Sequence, residues 1–310
     1  MGMLKLSVVT TTFNSSVSTR EFLQRVSNES EKLVKSDYEI VIIDDGSDEN
    51  NFEQIRQITE EFPNVRLHRF SRNFGHHRAL LYGLQISRGD RVYLTDSDLE
   101  EAPEWLALMW KNMDYKKVDS IYAVQETRRG SIYEKFSGWL FYLVMRQLMG
   151  INIQKNMMTS RLMNRQFVSA ILAMGDYSPN LSGMFSYVGF RQEAVVLTKI
   201  RYYESRYTLR KKLDIVIELL TSYSARPLKF IFYFGLVTFF FSGIMSLAIV
   251  LFSLFNDFLD GWLSLVLLNL VSIGLIMSSL GMIGMYVSRI HAETKKRPFQ
   301  FVSWNSDDDE

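Results

Sequence analysis

The residues able to do chemistry in this chain gather in three short polar clusters. The most pointed is Asp96-Ser97-Asp98, which closes a run of β-type residues, Arg91 to Leu94, leaving the Gly89-Asp90 turn. In an extended chain residues two apart face the same way, so both carboxylates share one side. Such a pair at a strand end suits a hard divalent cation that keeps open positions for phosphate oxygens. A strand-end turn held by aspartate is the ordinary alternative. Upstream, Asp44-Asp45-Gly46-Ser47 offers carboxylates that can accept from a pyrimidine N–H or from ribose hydroxyls, and a glycine that lets backbone approach closely. In Ser71-Arg72-Asn73-Phe74-Gly75, Arg72 brings a planar, permanently charged fork of donors and Asn73 stands beside it, a pair fit to hold a diphosphate. Each cluster alone is ambiguous. In this order they point jointly to a nucleotide diphosphate whose metal sits on Asp98 and Asp96.

The clusters fall where strands end. Leu4 to Thr12 reads as a buried strand, followed by a turn at Phe13-Asn14-Ser15-Ser16 and a helix from about Thr19 to Lys35, with Phe22, Val26 and Leu33 toward a core. Tyr38 to Ile43 is a second strand, apolar on both faces as in a sheet covered by helices. A helix from Phe52 to Phe62, a strand from Val65 to Phe70 and a helix from His76 to Ser87 lead to the Asp-x-Asp strand. Strand and helix alternate four times, which predicts an α/β parallel sheet with its ligand beyond the carboxyl ends of the strands. Pro103-Glu104-Trp105 opens a further helix to about Met113, and Asp119 to Gln125 reads as a strand. Ile132 to Leu148 is an apolar helical stretch that fits either an interfacial helix or a core helix. Residues 151–200 read as short strands and turns, and Tyr207 to Tyr223 as a helix with a basic start.

Composition narrows the classes. The 310 residues are 47% hydrophobic and carry a net charge of +1, which excludes a nucleic-acid binder working through a basic surface. There is no cysteine, so neither disulfides nor thiolate chemistry is available. Met1-Gly2-Met3 runs straight into a strand with no apolar leader, and the N-terminal domain is therefore expected to stay in the cytoplasm.

Farther on the composition changes. Phe230 to Phe255 and Trp262 to Val287 contain no charge, and each is about 26 residues, above the roughly 20 that cross a bilayer. Arg226 and Lys229 flank the first; Arg289, Lys295, Lys296 and Arg297 flank the second. By the positive-inside rule both outer ends face the cytoplasm. Neither span holds a charge that would mark an ion path. Ser278, Ser279, Gly281 and Gly284 form a small-residue face suited to close helix packing. The acidic end, Asp307-Asp308-Asp309-Glu310, reads as a disordered, solvated tail.

Together these motifs resemble the polyprenyl-phosphate glycosyltransferases, membrane members of the family-2 glycosyltransferases with a GT-A fold. Relatives in that group include dolichyl-phosphate mannose synthase and bacterial enzymes that load glucose or aminoarabinose onto undecaprenyl phosphate. The resemblance runs from Leu4 to about Arg289. Besides the three clusters it includes Arg88-Gly89-Asp90, Pro103-Glu104, Arg161-Leu162-Met163, Gly189-Phe190-Arg191-Gln192 and Ser205-Arg206-Tyr207. It implies a Rossmann-like, mostly parallel GT-A domain over residues 1–205, with an interfacial helix at about 131–149. A juxtamembrane amphipathic helix (206–228), a two-helix transmembrane hairpin (229–290) and a cytoplasmic tail (291–310) would follow. It further implies an integral bacterial inner-membrane protein and inverting, Mg2+- or Mn2+-dependent transfer of one sugar from a nucleotide-sugar, a UDP-sugar first, to a polyprenyl phosphate. The partners implied are the donor, the lipid phosphate, the bilayer and, as in some bacterial relatives, a homotetramer.

Carried onto this sequence, the resemblance makes Asp96 and Asp98 the catalytic, metal-holding pair. It puts Thr11, Phe13, Asp44, Asp45, Ser47, Arg72, Asn73 and Asp96 at the nucleotide. An ionised phosphate monoester is already a nucleophile, so cations rather than a strong base are needed for the acceptor. Arg128, Lys135, Ser137 and Arg206 are the candidates, although Arg128-Arg129 also fits a solvated loop and Lys135 a snorkelling interface residue.

The chain departs from the family pattern around the sugar and acceptor. Its first strand ends Thr11-Thr12-Phe13-Asn14-Ser15 instead of Pro-x-Tyr-Asn-Glu. An expected arginine is missing near Gln125, an acidic residue is replaced by Thr159, and a glycine by Tyr203, with Arg206 in place of lysine. An altered sugar specificity is the expectation. Two other readings share the fold: a processive polysaccharide synthase, which usually carries Gln-x-x-Arg-Trp and more membrane helices, and a non-catalytic membrane scaffold.

Overall fold

Two strands set the architecture. Leu6–Thr12 (β1) and Tyr38–Asp44 (β2) are buried at every position, because both are mainly β-branched and apolar, and their inner polar residues pair with each other, the Ser7 hydroxyl donating to Glu39 at 2.6 Å. They pair in parallel with Thr12 opposite Asp44, so their carboxyl ends lie level. The computed structural model of the chain describes residues 4–125, 156–175, 179–199, 226–253, 261–295, 298 and 300–309. The described residues fall into two compact units, one holding residues up to 199 together with 300–309, the other two long helices.

In the first unit, Val65–Phe70 (β3) continues the sheet beside β2, and Arg91–Leu94 (β4) lies on the opposite side of β1. Connecting helices are Thr19–Val34 (α1), Glu49–Thr59 (α2) and His76–Ile86 (α3). Phe22, Leu23 and Val26 of α1 are fully buried. The Asp48 side chain accepts from Asn51 N at 2.9 Å and starts α2 three residues before the expected Phe52. Beyond β4 come Trp105–Lys116 (α4), Ser120–Gln125 (β5), Met157–Asn164 (β6), Arg165–Ala173 (α5), Leu181–Tyr187 (α6) and Gln192–Leu197 (β7). The full sheet runs β7-β5-β6-β4-β1-β2-β3 and ends on a strand from the end of the chain, Val302–Asn305 (β8). β6 is antiparallel to both its neighbours, so the sheet is mixed around a parallel centre. This is the Rossmann-like GT-A architecture in outline. The strand order reverses between β1 and β4, the point in such sheets where ligands bind.

Two expectations need correction. Residues 151–200 contain two helices besides strands; the side chains of Asn164 and Asn180 cap them, accepting from Phe167 N at 2.8 Å and Gly183 N at 3.1 Å. The acidic end is ordered. Val302–Asn305 (β8) pairs antiparallel with β3, and Ser306–Asp309 forms a 3-10 turn. Asp307 is held by Arg66, with Oδ1 2.9 Å from Nε and Oδ2 2.5 Å from the guanidinium. That pairing, together with the burial of Trp304 against the core, outweighs the cost of ordering a charged terminus.

The second unit consists of Arg226–Ser253 (α7), 28 residues, and Trp262–Thr294 (α8), 33 residues. At 1.5 Å per residue these measure about 42 and 50 Å. Among the described residues, Ser272–Thr294 is long and apolar enough to cross a membrane by length and composition, and none of that stretch is buried. The interfacial helix expected at 131–149 and most of the juxtamembrane helix expected at 206–228 lie outside the described residues.

Candidate active site

The three clusters converge at the carboxyl ends of β1, β2, β3 and β4. Ser47 ties the end of β2 to the turn after β1: its hydroxyl donates to Asp44, its N–H reaches the same carboxylate at 3.1 Å, and Asn14 N donates to its Oγ at 2.8 Å. Asp44 is completely buried, with Arg69 Nε 3.8 Å away, and burial pushes its carboxyl above the usual range. Asp45 is also buried, and burial raises its carboxyl too. It accepts from Phe74 N at 2.8 Å and Gly75 N at 2.9 Å, tying the 71–75 loop to the start of α3. The oxygens of both aspartates are thus engaged inside the protein.

Gly46 lies under that loop at φ +74, where a Cβ would stand 2.6 Å from Arg72 Cα and Asn73 N. Only glycine allows this approach. Above it Arg72 and Asn73 are exposed. The Arg72 guanidinium lies over the Phe74 ring at 4.4 Å, and among the described residues no carboxylate is paired with it. Thr11 is buried at the end of β1, while Phe13 is 48% exposed at the rim.

Across the switch point stand Asp96 and Asp98, each partly exposed. Asp96 Oδ1 is buried without a hydrogen bond, 3.5 Å from His76 Nε2. Asp98 accepts from Glu100 N at 2.9 Å; burial, then the Asp96 and Glu100 carboxylates, raise its pKa. Leu99 follows at φ +62 although fully buried, a left-handed conformation that costs a β-carbon residue about 1–2 kcal/mol. Two residues on, Glu101 is buried with its carboxylate on the backbone of β6. Among the described residues no three acidic or histidine side chains form a ready metal cage. The oxygen pair, the unpartnered Asp96 oxygen and the like charges raising Asp98 nevertheless fit a hard cation that completes its shell with phosphate or water oxygens.

Three residues here were not foreseen. His76 Nδ1 is 3.1 Å from Thr11 Oγ1, so the ring bridges the ends of β1 and β4. Glu101, 2% exposed, accepts from Ser160 N at 2.6 Å and Thr159 N at 3.1 Å. Burial, then Asp96, pushes it up to about 7. Lys199, just past β7, pairs with Glu100. Burial works against its ammonium, but the Glu100 carboxylate holds its pKa above the ordinary value. The neighbouring Glu100 and Glu101, directly after the Asp-x-Asp pair, were the visible signal for an extended acidic site. Nothing local marked His76 or Lys199. Arg128, Lys135, Ser137 and Arg206 lie outside the described residues, as does Tyr203.

The profile of "Glycosyl transferase family 2" matches residues 7–179. The chain is 31% identical over 300 residues to "Putative glycosyltransferases" of Mycobacterium tuberculosis, covering 96% of this chain and 87% of that one. It is 29% identical over 303 residues to the "Prophage bactoprenol glucosyl transferase homolog" of Escherichia coli, covering 95% and 97%. Among solved structures, glucosyl-3-phosphoglycerate synthase from Mycobacterium tuberculosis, crystallised with UDP, matches with a TM-score of 0.50 at 16% identity, over 71% of this chain and 80% of that one. That likeness concerns the fold.

Proposed function

The chain belongs to glycosyl transferase family 2 and is a glycosyltransferase, and on that premise we propose that it transfers a single sugar from a nucleotide-sugar to a polyprenyl phosphate at the cytoplasmic face of a bacterial membrane. The observation that carries this reading is that an exposed Arg72, with no carboxylate partner among the described residues, and the Asp96/Asp98 carboxylates lie at the carboxyl ends of strands on either side of one switch point. One side supplies positive charge for a diphosphate and the other supplies oxygens for its cation. A divalent ion on Asp98 and Asp96 would neutralise charge accumulating on the leaving nucleoside diphosphate. Arg72 and Asn73 orient the diphosphate, and Phe13 stands at the rim where a base can stack. Asp44, Asp45 and Ser47 serve the nucleotide by fixing the loop over Gly46.

The prenol acceptor is supported by the relative named for bactoprenol glucosyl transfer, which matches nearly end to end. The phosphate on the prenol follows from the chemistry: its second pKa is about 6, so it arrives as a nucleophile. Cations that hold it would come from Arg128, Lys135 and Arg206, with the Ser137 hydroxyl as a neutral donor and Lys199 at the edge of the acidic cluster. For topology, β8 follows α8 in sequence yet pairs with β3. That return supports a reading in which the chain leaves the cytoplasmic side and comes back to it between β7 and β8. Two crossings, by α7 and α8 with basic residues at their outer ends, satisfy this.

The test is transfer by the full-length protein in membranes or detergent, with labelled UDP-sugars, undecaprenyl phosphate and Mg2+ or Mn2+. A lipid-linked monosaccharide that needs the metal and vanishes in Asp98→Asn is the expected product. Equal transfer to the uncharged prenol, or donor hydrolysis with no lipid product from any nucleotide-sugar, would overturn the reading.

A further inference from the structure

After α8 the chain returns to the first unit and lays β8 along the outer edge of β3. His68 faces Asn305, Arg69 faces Trp304 and Phe70 faces Val302, with a register shift between Arg69 and Phe70. Trp304 meets Phe52 edge-on, centroids 5.4 Å apart. Leu67 N donates to Ser306 Oγ at 3.1 Å, and Asp307 closes the far end on Arg66. At the near end the clasp passes from β3 into the loop that follows it. Ser71, the first residue of that loop, donates its N–H to the carbonyl of Phe301 at 2.9 Å. The Phe301 ring is 6.2 Å from Phe74, and Phe74 carries the Arg72 guanidinium on its face at 4.4 Å.

We propose that Phe301 and the strand after it are a positioning element of the donor site, holding Arg72 in its diphosphate-binding place through the Phe301–Phe74–Arg72 stack and the Ser71 hydrogen bond. This rests on the donor role given to Arg72 above. The loop needs two anchors because only five residues separate β3 from α3 and both middle side chains point to solvent. Asp45 pins its end at Phe74 and Gly75. Phe301 pins its beginning. Without the second anchor, Phe74 loses a ring partner and retains only Phe70, 5.7 Å away, and the platform under Arg72 tilts freely. The consequence is that the segment following the last long helix belongs to the nucleotide site, although more than 200 residues separate them in sequence.

Phe301→Ala is the discriminating variant, because Phe301 is 56% exposed and contributes little to the core. In full-length protein in detergent, UDP with Mg2+ should bind about twofold to tenfold more weakly, the scale of losing one aromatic pair. The KM for the nucleotide-sugar should rise with kcat nearly unchanged, and Phe301→Tyr should restore both. Hydrogen exchange at Ser71, Phe74 and Gly75 amides should quicken in Phe301→Ala and not in Phe301→Tyr, with the melting temperature unmoved. Unchanged UDP affinity and unchanged exchange in Phe301→Ala would overturn the proposal. Should the wild-type protein bind neither UDP nor any other nucleoside diphosphate, the donor reading of the site fails on its own, and the exchange comparison still decides whether Phe301 orders the loop.

Discussion

The two halves of the candidate site differ in how their carboxylates are balanced. On the β2–β3 side, Asp44 and Asp45 are deeply buried, yet backbone N–H groups, the Ser47 hydroxyl and Arg69 surround them. On the β4–β6 side, Asp96, Asp98, Glu100 and Glu101 crowd into six residues. Their described cationic and hydrogen-bonding company includes Lys199 at Glu100, His76 near Asp96, the Glu100 N–H at Asp98 and two backbone N–H groups at Glu101, while one Asp96 oxygen is buried with no hydrogen bond among the described residues. The first half is assembled by folding itself. The second gathers four carboxylates with less local compensation, which costs stability that a bound cation, as proposed above, would restore. The difference separates carboxylates that build the site from carboxylates that work in it.

Asp98→Asn should break the working half with the largest effect. Sugar transfer is expected to fall about a hundredfold or more, the scale for losing a group that stabilises transition-state charge. The melting temperature of the metal-free protein should stay level or rise, because one of four like charges is gone. Activity within a few-fold of wild type would remove Asp98 from the chemistry. Gly46→Ala attacks the building half. Its new Cβ would press on the backbone of Arg72 and Asn73 at a positive φ, for a cost of about 1–3 kcal/mol. The urea midpoint should drop and UDP binding should weaken together; a variant as stable as wild type would show that the loop gives way easily. Asp45→Asn should be milder, about 1–2 kcal/mol for weakening a charged acceptor of two N–H groups. Its deficit should be the same with and without Mg2+, whereas any stability change in Asp98→Asn should depend on the metal.

The building half was the more legible in sequence. Turn residues at 44–47 and 71–75 stand directly after apolar β-type runs, so local pattern alone located both loops, and β1 to β4 emerged within a residue or two of their expected bounds. Pattern could not tell that Asp44 and Asp45 spend their oxygens inside the fold, since that depends on which backbone folds over them. β8 was missed for a different reason. Val302-Ser303-Trp304-Asn305 does alternate apolar and polar, but the acidic run behind it reads as a solvated end until Arg66, some 240 residues earlier, is brought alongside. His76 and Lys199 are likewise defined only by pairings distant in sequence. Local periodicity reports on elements, whereas charge balance is settled by the tertiary structure.

The smallest effect, and the most specific to the working half, concerns Glu101. Its carboxyl is pushed from an ordinary 4.5 up to about 7, chiefly by burial and then by Asp96. A carboxyl raised in the folded state keeps its proton where the unfolded chain has released it. Protonation there favours folding, so this group's contribution is fully present below pH 4.5, declines as pH rises to about 7 and is level beyond. Asp44 and Asp45, also raised by burial, add a decline of the same sign that is common to wild type and variant. Glu101→Gln carries no titrating proton and retains an oxygen for one of the two N–H groups. Urea unfolding at pH 5 and pH 8 with a chelator present should therefore show the variant gaining on wild type as pH rises. An equal difference at both values would mean that Glu101 ionises normally. Adding Mg2+ should shrink the gain, because a cation at Asp96 removes part of the charge that holds the Glu101 proton in place.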